Sequence, residues 1–475
     1  MARQGNDPPS RHPSDGIDRG RIRRTLPLVA LSGRVAAETV LARTRGGRSG
    51  VTRFELHESA AQRYAQALGR SKGALMKAGQ MLSFVSANPI VPPRLRPVYQ
   101  TAFARLRDDA PPMEPELVGA TLEVELGRPA HSAFAEFDWE PLAAASIGQV
   151  HAARLKDGRA VAVKVQYPGV ADAIRSDLKN VELLSSFIGI AAGISPVRVK
   201  ADVRSAAREI GAQLHDELDY RLEARNQTRF ARHYRGHPFI RVPEVVPELS
   251  TGRVLTQELC VGRGWDEAVA ASQARRDRWA EALWRFVYGS YLRFGLVNGD
   301  PNPANFVFHD DGSVSFLDFG CVKRHSREQV ALRADVARAA VRGDAPTVWR
   351  LCVEAGCWRA SDPVSQAEAL DYWREPFRYM WDQQPFTFTP EHATRWIECR
   401  ASPIGPCANA IRHLTMPIDD LIWPRLEIGL ASILADLRAT NDWRAIHDEY
   451  IEGGEPADEM GRQDRAHFSS TGSPY

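Results

Sequence analysis

The chain reads as an α+β protein of two lobes, a small β-rich N-lobe followed by a larger helical C-lobe, with a helical extension ahead of both. Three observations predict this. Hairpin patterns occur twice, at residues 147–166 and 306–317, far apart in the chain. The sequence between and after them is dominated by apolar spacing of helical period. Residues 54–127 carry helical patterns with a proline-rich interruption and no strand signal.

The bulk composition narrows the classes. At 475 residues there is room for two or three domains, and 44% apolar residues is ordinary for a globular protein. A formal net charge of +2 gives no field that would mark nucleic acid as a partner. The six cysteines form no CxxC pair and no zinc spacing, which predicts reduced thiols in a cytosolic setting. No run of eighteen apolar residues occurs, so no transmembrane helix is predicted. Lysine occurs only seven times against fifty-four arginines, so the few lysines that remain are candidates for roles a guanidinium cannot fill. Lys77 and Lys164 are among them.

Taken in order, residues 1–50 form a polar and basic tail. Arg19, Arg21, Arg23 and Arg24 precede Leu26 to Ala42, an apolar stretch broken by Arg34 and Glu38. That pattern fits an amphipathic helix, lying on a membrane or on the protein itself, better than a signal peptide. Residues 51–140 are the helical extension, with helices at 54–84, 99–107 and 114–127. Residues 141–260 form the N-lobe: strands at 147–154 and 159–166 joined at Lys156-Asp157-Gly158, helices near 171–190 and 199–233, and a strand at 253–259. In the second strand Val161, Val163 and Val165 share one face, leaving Ala162 and Lys164 on the other, where a ligand could approach the sheet. The C-lobe spans residues 261–452, with a helix at Gln273 to Phe294 and a capping box at Ser326-Arg327-Glu328-Gln329 opening another. Residues 453–475 are polar and predict a disordered tail.

The chemistry concentrates in the second hairpin. His309-Asp310-Asp311-Gly312 is a turn signal between two apolar runs, and centring the hairpin there makes Asn305 and Asp318 near partners across its base. One amide oxygen and one carboxylate can hold a hard cation such as Mg2+. Asp300 lies five residues before Asn305, and Phe319-Gly320 follow Asp318, which is the spacing of a kinase catalytic loop and magnesium site. Lys164 would grip the α and β phosphates of ATP, and an acid on the long helix, Asp219 or Glu223, would hold Lys164. Asp300 would orient or deprotonate the acceptor. Gln257-Glu258-Leu259 would offer main-chain groups to adenine. The order of these parts is that of a bilobal protein-kinase-like fold. Two usual parts are missing: Ala143-Ala144-Ala145-Ser146 stands where a glycine-rich loop would be, and no peptide-binding activation segment follows Asp318.

With Lys77-Ala78-Gly79-Gln80, Leu106, Asp109-Ala110-Pro111-Pro112, the alanine-rich loop, Val161-Ala162-Val163-Lys164, Glu217-Leu218-Asp219, Asp300-Pro301, Asn305 and Asp318-Phe319-Gly320, the chain resembles the UbiB/AarF atypical kinase family, also called ADCK-like. The resemblance covers residues 55–340. It implies a protein-kinase-like fold whose added KxGQ segment folds over the cleft, with Lys77 and Gln80 over the nucleotide near Glu217 and Asp219. It implies Glu223 as the partner of Lys164, and an alanine-rich loop that disfavours ordinary protein phosphorylation. It further implies ATP and Mg2+ as cofactors, ADP as a ligand, and a membrane lipid or isoprenoid-pathway protein as partner at the inner face of a membrane. The chain departs from the family's H-x-D-P-H-P-G-N run at Asn298 and Asn302. A small-molecule phosphotransferase of the aminoglycoside or choline kinase type, and a nucleotide-bound scaffold without turnover, are the competing readings.

Overall fold

The computed structural model describes residues 113–145, 147–172, 218–402, 405–415, 420 and 422–470. The basic tail, the KxGQ segment, the Asp109–Pro112 run, most of the helix read at 171–190 and the part up to residue 217 of the helix read at 199–233 lie outside the described residues.

The N-lobe is built on a four-stranded antiparallel sheet in the order β1-β2-β3-β5. Its strands are β1 (Glu136–Ala145), β2 (Gly148–Arg154), β3 (Ala160–Gln166) and β5 (Val254–Glu258). The valine stripe behaves as its spacing predicts: Val161, Val163 and Val165 are almost fully buried, packed with Val118 and Leu122 of helix α1 (Pro115–Leu126) and with Phe134 and Val254. The sequence pattern places helix α1 in the extension ahead of residue 141, yet it packs in the same core as the sheet. Strand β1 was also not foreseen. Most of its side chains are exposed, so it lacks the alternation that marks a half-buried strand. Gly148, opening β2, is held so close to β3 that a Cβ there would lie 2.2 Å from the Val165 carbonyl oxygen. On the far side of the sheet, helix α2 (Tyr220–His233) begins at Asp219, whose carboxylate accepts the Arg221 amide as an N-cap.

The C-lobe is helical. Helix α3 (Gln273–Phe294) spans it, with bounds that match those read from the sequence, and ends at Gly295 in the left-handed region at φ +64. Trp279, Leu283 and Phe286 of α3 pack with Phe308 and Phe316 of the second hairpin, with Phe319 just after it, and with Leu430 and Leu434. Each large side chain fully removed from water there contributes about 1.5–3 kcal/mol. Strand β6 (Leu296–Asn298) pairs with β9 (Val322–Arg324), and the hairpin β7 (Phe306–Phe308) with β8 (Val314–Phe316) joins the two-residue β4 (Ile240–Arg241). The predicted capping box forms: Ser326 accepts the Gln329 amide at 3.2 Å and opens helix α4 (Arg327–Arg342). Helices α5 (Ala345–Glu354), α6 (Gln366–Arg374), α7 (Pro390–Ala401), α8 (Ile422–Asp436) and α9 (Trp443–Ile451) complete the lobe.

The polar C-terminal segment is not a free tail. Helix α10 (Glu459–Ser470) packs against α3, with Met460 and Phe468 buried on one face. Asp464, on that same face, is 1% exposed and bonded to His237, Arg293 and Tyr450. Burial alone would raise the Asp464 carboxyl's pKa, but the His237 hydrogen bond and the Arg293 charge outweigh it and hold it well below the usual carboxylate range. A polar-looking segment is buried because its charge arrives already paired. Replacing Phe468 by alanine is expected to cost about 3–5 kcal/mol in chemical denaturation, and to expose α10 to protease.

Candidate nucleotide and metal site

Three charged side chains from three elements meet between the lobes. Lys164 projects from β3, opposite Val150 on one neighbouring strand and Leu255 on the other. Its Nζ donates to both Glu223 carboxylate oxygens at 2.9 Å. It also donates to Asp318 Oδ2 at 3.5 Å, and lies 4.9 Å from the centre of the Tyr220 ring. Of the two acids the sequence left open, Glu223 is the partner. Asp219 serves as the helix cap instead. Burial works against the Lys164 charge, but Asp318 and Glu223 more than offset it and raise the ammonium's pKa well above its ordinary value.

Helix α2 is fixed to the Asp318 segment by more than charge. Phe319 is fully buried with its ring centre 5.0 Å from that of Phe230, and Asn226 Nδ2 donates to the Phe319 carbonyl at 3.2 Å. Asp318 itself accepts the Gly320 amide at Oδ1, 2.9 Å away.

The loop carrying Asp300 sits beside it. Asn298, at the end of β6, donates its Nδ2 to the Asp318 carbonyl at 2.8 Å and accepts the Asp300 amide at Oδ1. Asn302 caps the 3-10 turn Pro303–Asn305 by accepting the Ala304 amide. These two asparagines, the chain's departures from the family's loop, therefore have local jobs. Asn305 donates Nδ2 to Asp300 Oδ2 at 2.9 Å, which turns its amide oxygen away from Asp300. The hairpin register is one residue tighter than the sequence suggested. The Asn305 carbonyl accepts the Leu317 amide, and the turn closes with Gly312 at φ +85. Asn305 thus lies across from the residue just before Asp318. An amide oxygen and a carboxylate on neighbouring positions suit a hard cation. Among the described residues no group of three His, Cys, Asp or Glu side chains could hold a metal by itself.

Arg425 was missed altogether. It reaches from α8 to donate to Asp300 Oδ1 at 2.6 Å. No spacing in the sequence could reveal this, because 125 residues separate the two.

The remaining predicted positions divide. Ala143, Ala144 and Ala145 end β1 and pair with Val150, Gln149 and Gly148, so they sit at the rim of the cleft as a strand-to-turn edge. The amides of Glu258 and Leu259 are both used within the protein, by the Glu244 and Ala160 carbonyls, so neither is a free donor for adenine. Lys77, Gln80, Ser146 and Glu217 lie outside the described residues.

A lysine–glutamate pair between sheet and helix, an Asp-Phe-Gly segment and an Asp-to-Asn loop, set between a β-rich and a helical lobe, define a protein-kinase-like fold. Within that class the chain belongs to the family of the ABC1 atypical kinase-like domain, whose model matches residues 105–352. It is 38% identical over 291 residues to the atypical kinase COQ8B, mitochondrial, of Rattus norvegicus, covering 61% of this chain and 53% of the relative. It is 31% identical over 417 residues to the atypical kinase coq-8, mitochondrial, of Caenorhabditis elegans, covering 85% of this chain and 53% of the relative. The chain thus spans about half the length of the curated relatives it matches. Among solved structures it is similar to Rv3197 of Mycobacterium tuberculosis, solved in complex with erythromycin. That match has a TM-score of 0.60 and 32% identity, over 84% of this chain and 97% of the other.

A raised lysine pKa stabilises the folded state at every pH below the unfolded lysine value, about 10.4, and loses that contribution only as pH rises through the folded value. Between pH 6 and 9 the Lys164–Glu223 pair is therefore expected to contribute constantly. Glu223→Gln should lower stability by about 1–3 kcal/mol, by the same amount at pH 6 and pH 9 in denaturant titrations.

Proposed function

We propose that this protein binds ATP with Mg2+ and acts as an atypical kinase or ATPase. The observation that carries the reading is the meeting of Lys164, Glu223 and Asp318 beside the Asp300–Asn305 pair. Lys164 would hold the α and β phosphates, and Glu223 keeps it extended toward them. Asn305 and Asp318 would hold Mg2+, which when bound offsets the negative charge of the phosphates. Asp300 would orient the acceptor hydroxyl or water, and accept its proton. The adenine-facing amide would lie just beyond β5, with Cys260 or Val261 as candidates, since those of Glu258 and Leu259 are engaged. The alanine-rich edge 143–145 stiffens the backbone where glycine would allow close phosphate approach. Lys77 and Gln80 would close over the nucleotide, as the family resemblance implies. We place its work in isoprenoid-lipid or quinone metabolism at a membrane. Relatives named as mitochondrial support that setting, and among the described residues no helix is long and apolar enough to cross a membrane.

One observation favours a second reading, a phosphotransferase acting on a hydroxylated small molecule: the related Mycobacterium tuberculosis protein was solved with erythromycin. The two readings separate when purified protein is given ATP and Mg2+ with anionic liposomes in one arm and erythromycin in the other. Phosphate release stimulated by liposomes is expected. A phosphorylated macrolide in the mass spectrum, without liposome stimulation, would establish the second reading instead.

Asp318→Asn is expected to lower Mg2+-dependent ATP hydrolysis at least about 100-fold, as loss of a major transition-state charge contact does, while the circular dichroism spectrum stays that of the parent. Unchanged turnover in this variant would refute the metal assignment.

A further inference from the structure

Helix α8 lies well past the region matched by the family model, which ends at residue 352. It nevertheless forms the floor of the loop that carries Asp300. Ile422 fills the space beside Gly299, where a Cβ would fall 2.1 Å from the Ile422 side chain. Pro301 rests on Gly429, where a Cβ would fall 2.2 Å from the proline ring. Positions 422, 425 and 429 fall within an arc of about 60° on a helical wheel, so Arg425 shares the face that meets the loop. Its guanidinium donates to Asp300 Oδ1 at 2.6 Å while Asn305 donates to Oδ2 at 2.9 Å. Both carboxylate oxygens are thus held, one by a charge. The main chain of Asp300 is fixed too, its amide by Asn298 and its carbonyl by the Asn302 amide. The ion pair is half-buried, with side chains 23% and 19% exposed, where a charge-assisted bond is screened less than at the surface.

A carboxylate that must face an acceptor next to a polyanionic nucleotide has a problem of its own. Asp318 and the phosphates repel it, and an unheld side chain would rotate away. A cation behind it removes that tendency and fixes the rotamer. We propose that Arg425 is a positioning residue for Asp300, supplied by the C-terminal helical part of the lobe, and that the phosphoryl-transfer machinery therefore extends to α8. The inference rests on the phosphoryl-transfer reading given above. It assigns Arg425 no contact with the nucleotide. Its effect passes through Asp300 and appears in the chemical step.

The test compares Arg425→Gln and Arg425→Lys with the parent in steady-state ATP hydrolysis, alongside Asp300→Asn and Asp318→Asn. Arg425→Gln is expected to lower kcat about 10- to 100-fold, the loss that a charge-assisted hydrogen bond implies, with the KM for ATP changed less than about twofold. Arg425→Lys should recover part of the loss. Arg425→Ala should regain turnover when millimolar guanidinium is added, which a loss of packing would not. Should the glutamine variant fail to fold, the lysine and guanidinium arms carry the same comparison. The inference is overturned if kcat stays within about twofold of the parent in the Arg425 variants, or if KM rises at constant kcat. It is also overturned if neither lysine nor guanidinium restores turnover. If Asp300→Asn and Asp318→Asn both leave turnover intact, it is the phosphoryl-transfer reading that fails, and the inference about Arg425 falls with it. Loss in those two with none in the Arg425 variants removes the inference alone.

Discussion

A single ammonium group between the lobes sets most of what surrounds it. The Lys164 Nζ is mostly withdrawn from water, and a charge in that position must be paired. At the separations seen, the Coulombic attraction of each carboxylate is on the order of 4 kcal/mol in an environment of intermediate dielectric, and most of it offsets the cost of taking the charges out of water. Both partners arrive from elsewhere in the chain, Glu223 from α2 and Asp318 from beyond the second hairpin. Helix α2 then carries the tie further along the same face. Glu223 meets the sheet, while Asn226 and Phe230, three and seven positions on, meet Phe319. One stripe of one helix therefore reads both lobes at once, so the helix cannot shift without disturbing the charged pair and the phenylalanine packing together.

The second constraint is steric and lies under the Asp300 loop. Close approach between that loop and α8 is possible because a glycine stands at each contact, Gly299 facing Ile422 and Gly429 facing Pro301. A side chain at position 429 would press on the Pro301 ring, and one at position 299 would displace the Ile422 side chain. The loop's own hydrogen bonds, from Asn298, Asn302 and Asn305, fix its shape. The helix fixes its height relative to the cleft.

What could be read in the sequence was whatever leaves a periodic or compact mark. The valine stripe of β3, the span of α3 and the capping box at Ser326 all follow from local spacing, and the structure has them where the spacing put them. The hairpin between Asn305 and Asp318 was legible from its turn and apolar runs, but its register was not: Asn305 lies across from Leu317 and not from Asp318. Strand β1 was hidden because its exposed side chains do not alternate, and α10 because its buried face includes an aspartate that is neutralised by residues over 170 positions away, Arg293 among them. Arg425 was hidden for the same kind of reason. Nothing short of the folded chain tells which of fifty-four arginines will meet Asp300.

Asn298 has a consequence of its own. Its side chain bridges the Asp300 amide and the Asp318 carbonyl, joining the Asp300 loop to the Asp-Phe-Gly segment through one planar group. A carboxamide neither gains nor loses a proton in water near neutrality, whereas an imidazole at that position would change its donors and acceptors close to pH 6.5. With asparagine there, the bridge keeps one hydrogen-bonding pattern in mildly acidic and mildly alkaline surroundings alike, and acidification of the compartment has no proton switch at this joint to act on.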